Sequence, residues 1–279
     1  MDLTTRQAAP IATVSSDARV LELWLRDRAP ATVRLYRQAA AELLDECGLR
    51  AVTYEHLSRC ADRRQTDASR RNFLAACKSL LTFAHKIGYL PWNVGAAARL
   101  PRTPRRVRHV AESEVLRTLH ELRGTMALLC RVLYVAGLRV SEAVALDVSD
   151  LESRDHALQL RVTGKGGAER RVLLPAQLGA ELDEHTLFVE PDSALFPSPR
   201  GGRYTPRAVQ RALERACARA GVAPALTPHH LRHAHGTHAV ERGAPLHVVQ
   251  ATLGHQSLST TGVYLHARPS DSSSLYLPT

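Results

Sequence analysis

Thr227-Pro228-His229-His230-Leu231-Arg232-His233 is the stretch on which the reading of this chain turns. A threonine followed by a proline marks a helix start. The hydroxyl can cap the first turn, and the proline's missing N–H costs nothing at the first helical position. In the helix this predicts, His229 and Arg232 stand three residues apart, on one face. A helix N-terminus carries partial positive charge and Arg232 adds a full one, so the place suits a phosphate. Downstream, Leu246, Val249, Gln250 and Leu253 follow a helical period that ends at Gly254, which leaves His255 on the corner beyond. Tyr264 lies one short predicted helix further on, behind Ser259, Thr260 and Thr261, any of which could cap it. Two imidazoles, a guanidinium and a phenol converging on one phosphate read as phosphoryl transfer to tyrosine.

The bulk of the chain agrees with an anionic partner. Its 279 residues can bury a real core and suit two domains. A formal charge of +10 favours nucleic acid. The aromatic content of 5% argues against a single-strand binder built on stacking. No apolar run is long enough to span a bilayer, and residues 1–10 have no apolar core of a secretory signal, so no membrane partner is expected. The five cysteines are scattered, never paired as CxxC, and read as small core residues in a reducing cytoplasm.

Taken in order, residues 1–15 show no period and read as a loose tail. Residues 16–100 read as an all-helical domain. Val20, Leu21, Trp24 and Leu25 share a first helical face; Pro30 breaks the pattern; a second helix runs through Val33, Tyr36, Ala40, Leu43 and Leu44. Residues 53–61 suggest a short third helix, and Asp67 caps a fourth that ends at Gly88. Residues 101–108 form a basic linker. Together with the adjoining Arg99, its Arg102, Arg105, Arg106 and Arg108 suit either a solvated tether or a strap across a DNA backbone. The remaining domain, 109–279, opens with helices at 112–122 and 126–136. Strands follow at 156–163 and 170–174, joined by the turn Gly164-Lys165-Gly166-Gly167, and a helix at 206–219 comes after them. The expected fold is therefore mainly α-helical with a small antiparallel β-sheet, an α+β catalytic domain behind a helical one.

Single residues carry weak signals. Arg139 follows a helix-ending glycine and opens a new helix, with Glu142 three residues on as an orienting partner; such arginines are usually surface residues. Lys165 at a hairpin tip often serves only solubility. His229 and His233 have the i, i+4 spacing of a zinc helix, yet no glutamate follows His229, no CxxC lies nearby and no acidic third ligand is evident, so no metal is expected.

Order and spacing together are more specific. The stretches Ala136-Gly137-Leu138-Arg139-Val140-Ser141-Glu142, Thr163-Gly164-Lys165-Gly166, His229-x-Leu231-Arg232-His233, Leu253-Gly254-His255 and Ser259-Thr260-Thr261-x-x-Tyr264 resemble those of the tyrosine recombinases, the integrase-type site-specific DNA recombinases. Residues 17–100 are more loosely similar to that family's core-binding (SAM-like) domain. The resemblance implies that Tyr264 attacks a DNA phosphodiester and holds its 3′ phosphate, releasing a 5′ hydroxyl, with strand exchange through a Holliday junction. It assigns the non-bridging oxygens to Arg139 and Arg232, the phenol proton to His229, a phosphoryl hydrogen bond to His255 and the leaving oxygen to Lys165. Glu142 and His233 become supports. It also implies no metal and no other cofactor, a duplex with an inverted-repeat core site as partner, and a tetramer on DNA, of this chain alone or with a second recombinase.

Three features depart from the family pattern. His235 replaces an aromatic found in many relatives, and Gly236 stands mid-helix. The segment after Tyr264 is short and polar, and the stretch before residue 17 is too short for an arm-site-binding domain. A compact Xer-like, plasmid or transposon recombinase fits these features. Two other readings stay open. Residues 243–264 also scan as a helix-turn-helix, which suits a non-catalytic DNA-binding regulator, and a type IB topoisomerase would use the same chemistry.

Overall fold

Short polar side chains start the helices of the N-terminal half. In the computed structural model, which describes residues 14–101, 108–154, 157–164 and 167–254, α1 (Asp17–Leu25) is capped by Ser16, α3 (Tyr54–Asp62) by Thr53 and α4 (Asp67–Lys86) by Thr66. Helix α2 (Pro30–Leu43) has Pro30 inside its first turn, so the proline opens this helix as well as ending the pattern before it. Thr66, one residue before the expected Asp67, is the cap of α4; Asp67 then adds a carboxylate to the first turn. These helices belong to one of two units into which the chain divides, Met1–Arg106 and Val107–Thr279. Their apolar stripes close over Val20, Trp24, Leu43, Leu57, Leu80 and Leu81. The Trp24 indole donates to Ser79 Oγ at 3.1 Å and stacks on Tyr36, with the Arg28 guanidinium over both rings. The loose tail expected at 1–15 lies outside the described residues up to position 13.

The second unit packs helices around a small sheet. Its elements are α5 (Glu112–His120), α6 (Gly124–Val135), α7 (Val140–Ala143), β1 (Leu151–Arg154), β2 (Ala157–Thr163), β3 (Glu169–Leu173), α8 (Ala176–Thr186), α9 (Pro206–Ala220), α10 (Pro228–Glu241) and α11 (Leu246–Leu253). The mainly helical architecture with a small antiparallel sheet is the expected one. The sheet has three strands in the order β1-β2-β3, with both pairs antiparallel. The sequence pattern signals only β2 and β3. Strand β1 is four residues long and half exposed, too short to show alternation. Helix α8 is also unsignalled; its Gly179 weakens the local propensity but lets the backbone approach Leu158, which a Cβ would meet at 3.2 Å.

Alternation on the sheet sets its buried face. In β2, Leu160 and Val162 face inward; across from them in β3 stand Val172 and Arg170. The core gathers Leu129, Leu133, Leu138, Leu160, Leu182 and Leu231 among its fully enclosed residues. Four of the five cysteines are buried, as their scatter suggested, and burial pushes the Cys77 and Cys130 thiols up to about 12. No helix among the described residues is long and apolar enough to cross a membrane.

Candidate active site

Helix α10 begins as its sequence demands. Thr227 Oγ1 accepts from the His230 N–H at 3.1 Å, and His230 Nδ1 accepts from the Thr227 N–H at 3.1 Å, a reciprocal cap with histidine in the place usual for glutamate. Burial lowers the His230 pKa, aided by the nearby Arg108 and His229, which keeps that nitrogen an acceptor at neutral pH. His229 is exposed on the first turn.

One turn in, Arg232 is buried, only 4% exposed, although its position lies next to that of the exposed His229 on the helix. Its Nη1 donates to the Gly137 carbonyl at 2.7 Å and its Nη2 to the Leu253 carbonyl at 2.5 Å. These carbonyls lie at the C-terminal ends of α6 and α11, where helices leave C=O groups without intrahelical partners and carry partial negative charge. Gly137 has φ +64, and a Cβ there would stand 2.6 Å from His235 Cδ2. The residue that departs from the family pattern therefore covers the glycine whose carbonyl holds Arg232. Burial holds the His235 pKa below the usual histidine range, against two backbone carbonyls that raise it, so the ring packs as a neutral group.

Beside Arg232 lies the Glu142 carboxylate, 7% exposed and 3.8 Å from Arg232 Nη1. Glu142 reaches back to the start of its own helix: Oε2 accepts from the Arg139 N–H at 2.8 Å and Oε1 from Arg139 Nη1 at 2.7 Å. Burial by itself would push the carboxyl's pKa up. Hydrogen bonds from Arg170 and from the Arg139 backbone outweigh it and hold the group below the usual carboxylate range. Arg139 keeps 44% of its side chain exposed.

Arg170 is the residue that sequence reasoning missed. Its Nη1 and Nη2 donate to the two Glu142 oxygens at 3.1 and 2.8 Å, and its Nε donates to the Thr252 carbonyl at 2.8 Å. A signal did exist: Arg170 shares the inward face of β3 with Val172, and a charged side chain on a strand's buried face needs a counter-charge. Three guanidinium groups thus surround one carboxylate, a surplus of two positive charges.

The structure brings together Arg139, Glu142 and Arg232 from the expected set, with His233 buried in the same helix as Arg232. Lys165, His255 and Tyr264 lie outside the described residues, as do Arg102, Arg105 and Arg106. Arg99 is exposed. Arg108 donates to the Pro224 carbonyl at 2.5 Å and to Glu114 at 2.7 Å, both within its own unit. The histidines of α10 diverge: His229 is exposed, and His238 sits between the Tyr134 hydroxyl and the Val110 carbonyl. Among the described residues no three His, Cys, Asp or Glu side chains form a group that could hold a metal.

The phage integrase family profile matches residues 106–271. The chain belongs to the phage integrase family. Among curated relatives of this integrase-family chain, the tyrosine recombinase XerC of Mesorhizobium japonicum is 34% identical over 275 residues, covering 88% of each protein. The tyrosine recombinase XerD of Mycobacterium tuberculosis is 34% identical over 210 residues, covering 68% of this chain and 67% of its own. The fold resembles that of one chain of lambda integrase, solved as a tetramer bound to a Holliday junction. The TM-score is 0.74 at 18% identity, over 93% of this chain and 80% of that one. The recombinase is thus a DNA-cutting and -rejoining enzyme of the Xer-like type.

Proposed function

We propose that this chain recombines duplex DNA at a specific site through a 3′-phosphotyrosyl bond to Tyr264, acting as a homotetramer on an inverted-repeat core site and passing through a Holliday junction. The observation that carries this reading is the arginine cluster around Glu142. Arg139 and Arg232, far apart in sequence, meet at one buried carboxylate in a chain whose relatives are tyrosine recombinases. The lambda integrase solved as a tetramer on a Holliday junction, with the same fold, supports the assembly.

The charge of the cluster suits the reaction. A phosphodiester carries one negative charge; when a phenolate oxygen adds to phosphorus, the transition state carries two. A fixed surplus of two positive charges therefore favours the transition state over the ground state, and favouring only the former is what accelerates a reaction. In the proposed step His229 takes the phenol proton, since a tyrosine of pKa about 10 is largely protonated at neutral pH. The bond from phosphorus to Tyr264 forms as the bond to the 5′ oxygen breaks. Lys165 supplies the proton that makes this oxygen a hydroxyl. His255 donates to a phosphoryl oxygen, and His233 supports α10 from within. The phosphotyrosyl bond keeps the energy of the one it replaced, so rejoining needs no nucleotide. Arg99, Arg102, Arg105, Arg106 and Arg108 are proposed to follow the DNA backbone, and residues 16–100 to grip the core site. We place the enzyme in the cytoplasm, where its DNA is and where thiols stay reduced.

A nicked suicide duplex tests the nucleophile. The site is first selected by the unmodified chain from a random duplex library, and each protein is then run on a denaturing gel. The unmodified chain forms a covalent adduct, while Tyr264→Phe forms none and binds with an affinity within about threefold, because a single hydroxyl contributes little to the interface. An adduct with the phenylalanine variant refutes the assignment.

A further inference from the structure

The guanidinium of Arg170 joins three parts of the C-terminal unit that have no sequence connection. It is carried by β3, it grips both oxygens of Glu142 in α7, and it bonds the Thr252 carbonyl in the last turn of α11. Its Cδ, Nε and Nη1 lie 3.1 to 3.3 Å from where a Cβ on Gly254 would stand, so the glycine that ends α11 at φ +63 packs directly on it. All three of its nitrogens are engaged by protein acceptors, and its side chain is 13% exposed.

We propose that Arg170 is a positioning residue of the recombination site: it fixes Glu142 and the C-terminal end of α11 in one grip, and so sets where Arg139 stands relative to that helix end. This rests on the recombinase reading above and names a further residue on which that chemistry depends.

Two physical arguments support it. The first concerns charge. Glu142 orients Arg139 through two hydrogen bonds, but a lone carboxylate would also cancel much of the positive charge that a phosphate must feel. With Arg170 matched to the carboxylate in a fork, Glu142 can aim Arg139 without neutralising the cluster. The second concerns geometry. Arg232 holds the Leu253 carbonyl and Arg170 the neighbouring Thr252 carbonyl, so two guanidiniums clamp the helix end immediately before Gly254 and His255. The planar fork spreads its donors over three nitrogens, so it meets two carboxylate oxygens side by side and a carbonyl on another edge, whereas a lysine's donors all radiate from one nitrogen.

A purely structural salt bridge would give a different result from a positioning residue, and single-turnover cleavage separates them. Arg170→Met keeps most of the stem and removes the fork; Arg170→Lys keeps the charge and loses the geometry. Both are assayed as full chains, with a nicked suicide duplex bearing the library-selected site, at protein concentrations that saturate the DNA. Equilibrium binding and thermal unfolding are measured in parallel. Arg170→Met should cleave about ten- to a hundredfold more slowly, the usual cost of losing a group that orients an active-site residue. Its DNA affinity should stay within about threefold. Arg170→Lys should recover only part of the rate, and it carries the test if the methionine variant does not fold. In a Glu142→Gln background, Arg170→Lys should cost much less than in the unmodified chain, because the two side chains act as a unit. The inference is overturned if either foldable variant cleaves at the unmodified rate under saturation, if the loss lies wholly in DNA affinity, or if the two substitutions multiply independently. If the unmodified chain itself forms no adduct, the recombinase reading fails and takes the inference with it. An active unmodified chain beside unimpaired Arg170 variants overturns the inference alone.

Discussion

Replacing Glu142 with glutamine removes one charge and little volume, and the structure sets what this should cost. The carboxylate accepts from the Arg139 N–H, from Arg139 Nη1 and from both terminal nitrogens of Arg170. A glutamine offers one acceptor oxygen and turns an amide NH₂ toward guanidinium donors, so about two of these four bonds are lost. Hydrogen bonds to charged groups contribute about 1.5–3 kcal/mol each against roughly 0.5–1.5 for neutral ones. Arg232, buried and 3.8 Å away, also loses its counter-ion, a gross attraction of about 4 kcal/mol at an effective dielectric near 20, most of it offset by desolvation. The net expectation is a loss of about 2–4 kcal/mol at pH 7. With a urea slope near 2 kcal/mol/M, the midpoint should fall by roughly 1–2 M.

Both tryptophans, Trp24 and Trp92, belong to the N-terminal unit, so indole fluorescence is an internal control. The far-UV transition of the C-terminal unit should move while the fluorescence transition stays. The pH dependence adds a second constraint. The folded-state pKa of Glu142 is depressed, so its contribution is complete above the ordinary value of 4.5 and is lost as the pH falls through the lower folded value. The gap between the unmodified chain and Glu142→Gln should therefore narrow below about pH 4.5 and remain flat from pH 5 to 8. A loss below 1 kcal/mol at pH 7, or one unchanged on acidification to pH 3, would refute the account of the cluster.

Three further outcomes follow from other parts of the molecule. Lys165→Ala should cleave ordinary DNA about 10²–10⁴ times more slowly, yet cut a substrate with sulfur at the bridging position at nearly the unmodified rate, since a thiolate leaves without a proton. Arg232→Ala should stay slow on both substrates, and failure of sulfur to rescue the lysine variant would remove Lys165 as the acid. Gly137→Ala should destabilise the C-terminal unit by about 2–4 kcal/mol, adding left-handed strain to the clash with His235; Gly221→Ala, at φ +65 with open space around it, should lose only about 1 kcal/mol, and equal losses in thermal unfolding would contradict this. A fragment beginning near His109 should bind the site more weakly than the full chain, its salt slope reduced by about 0.9 for each phosphate it no longer neutralises; identical slopes would mean that the N-terminal unit does not grip DNA.

The sequence alone determined much of the fold, because the signals involved are local. Thr227 and Pro228 start α10, Gly254 ends α11, and the apolar stripes of α1 to α6 follow from spacing that any helix would use. Where elements are short or locally ambiguous, the signal fails: β1 has four residues, and α8 contains a glycine that only the approach of Leu158 explains. The same division runs through the site. Arg139, Glu142 and Arg232 were legible as chemistry because their types and order stand in the chain, and the Arg139–Glu142 pair spans a single helical turn. That Arg232 is anchored on two helix ends, and that Arg170 completes the cluster, was not legible. Arg170 is 28 residues from Glu142 and 82 from Thr252, and no period in the sequence relates them. Only the packing of β3 against α7 and the end of α11 brings these groups within hydrogen-bonding distance. A buried carboxylate draws its partners from whichever elements surround it, and the tertiary fold alone decides which those are.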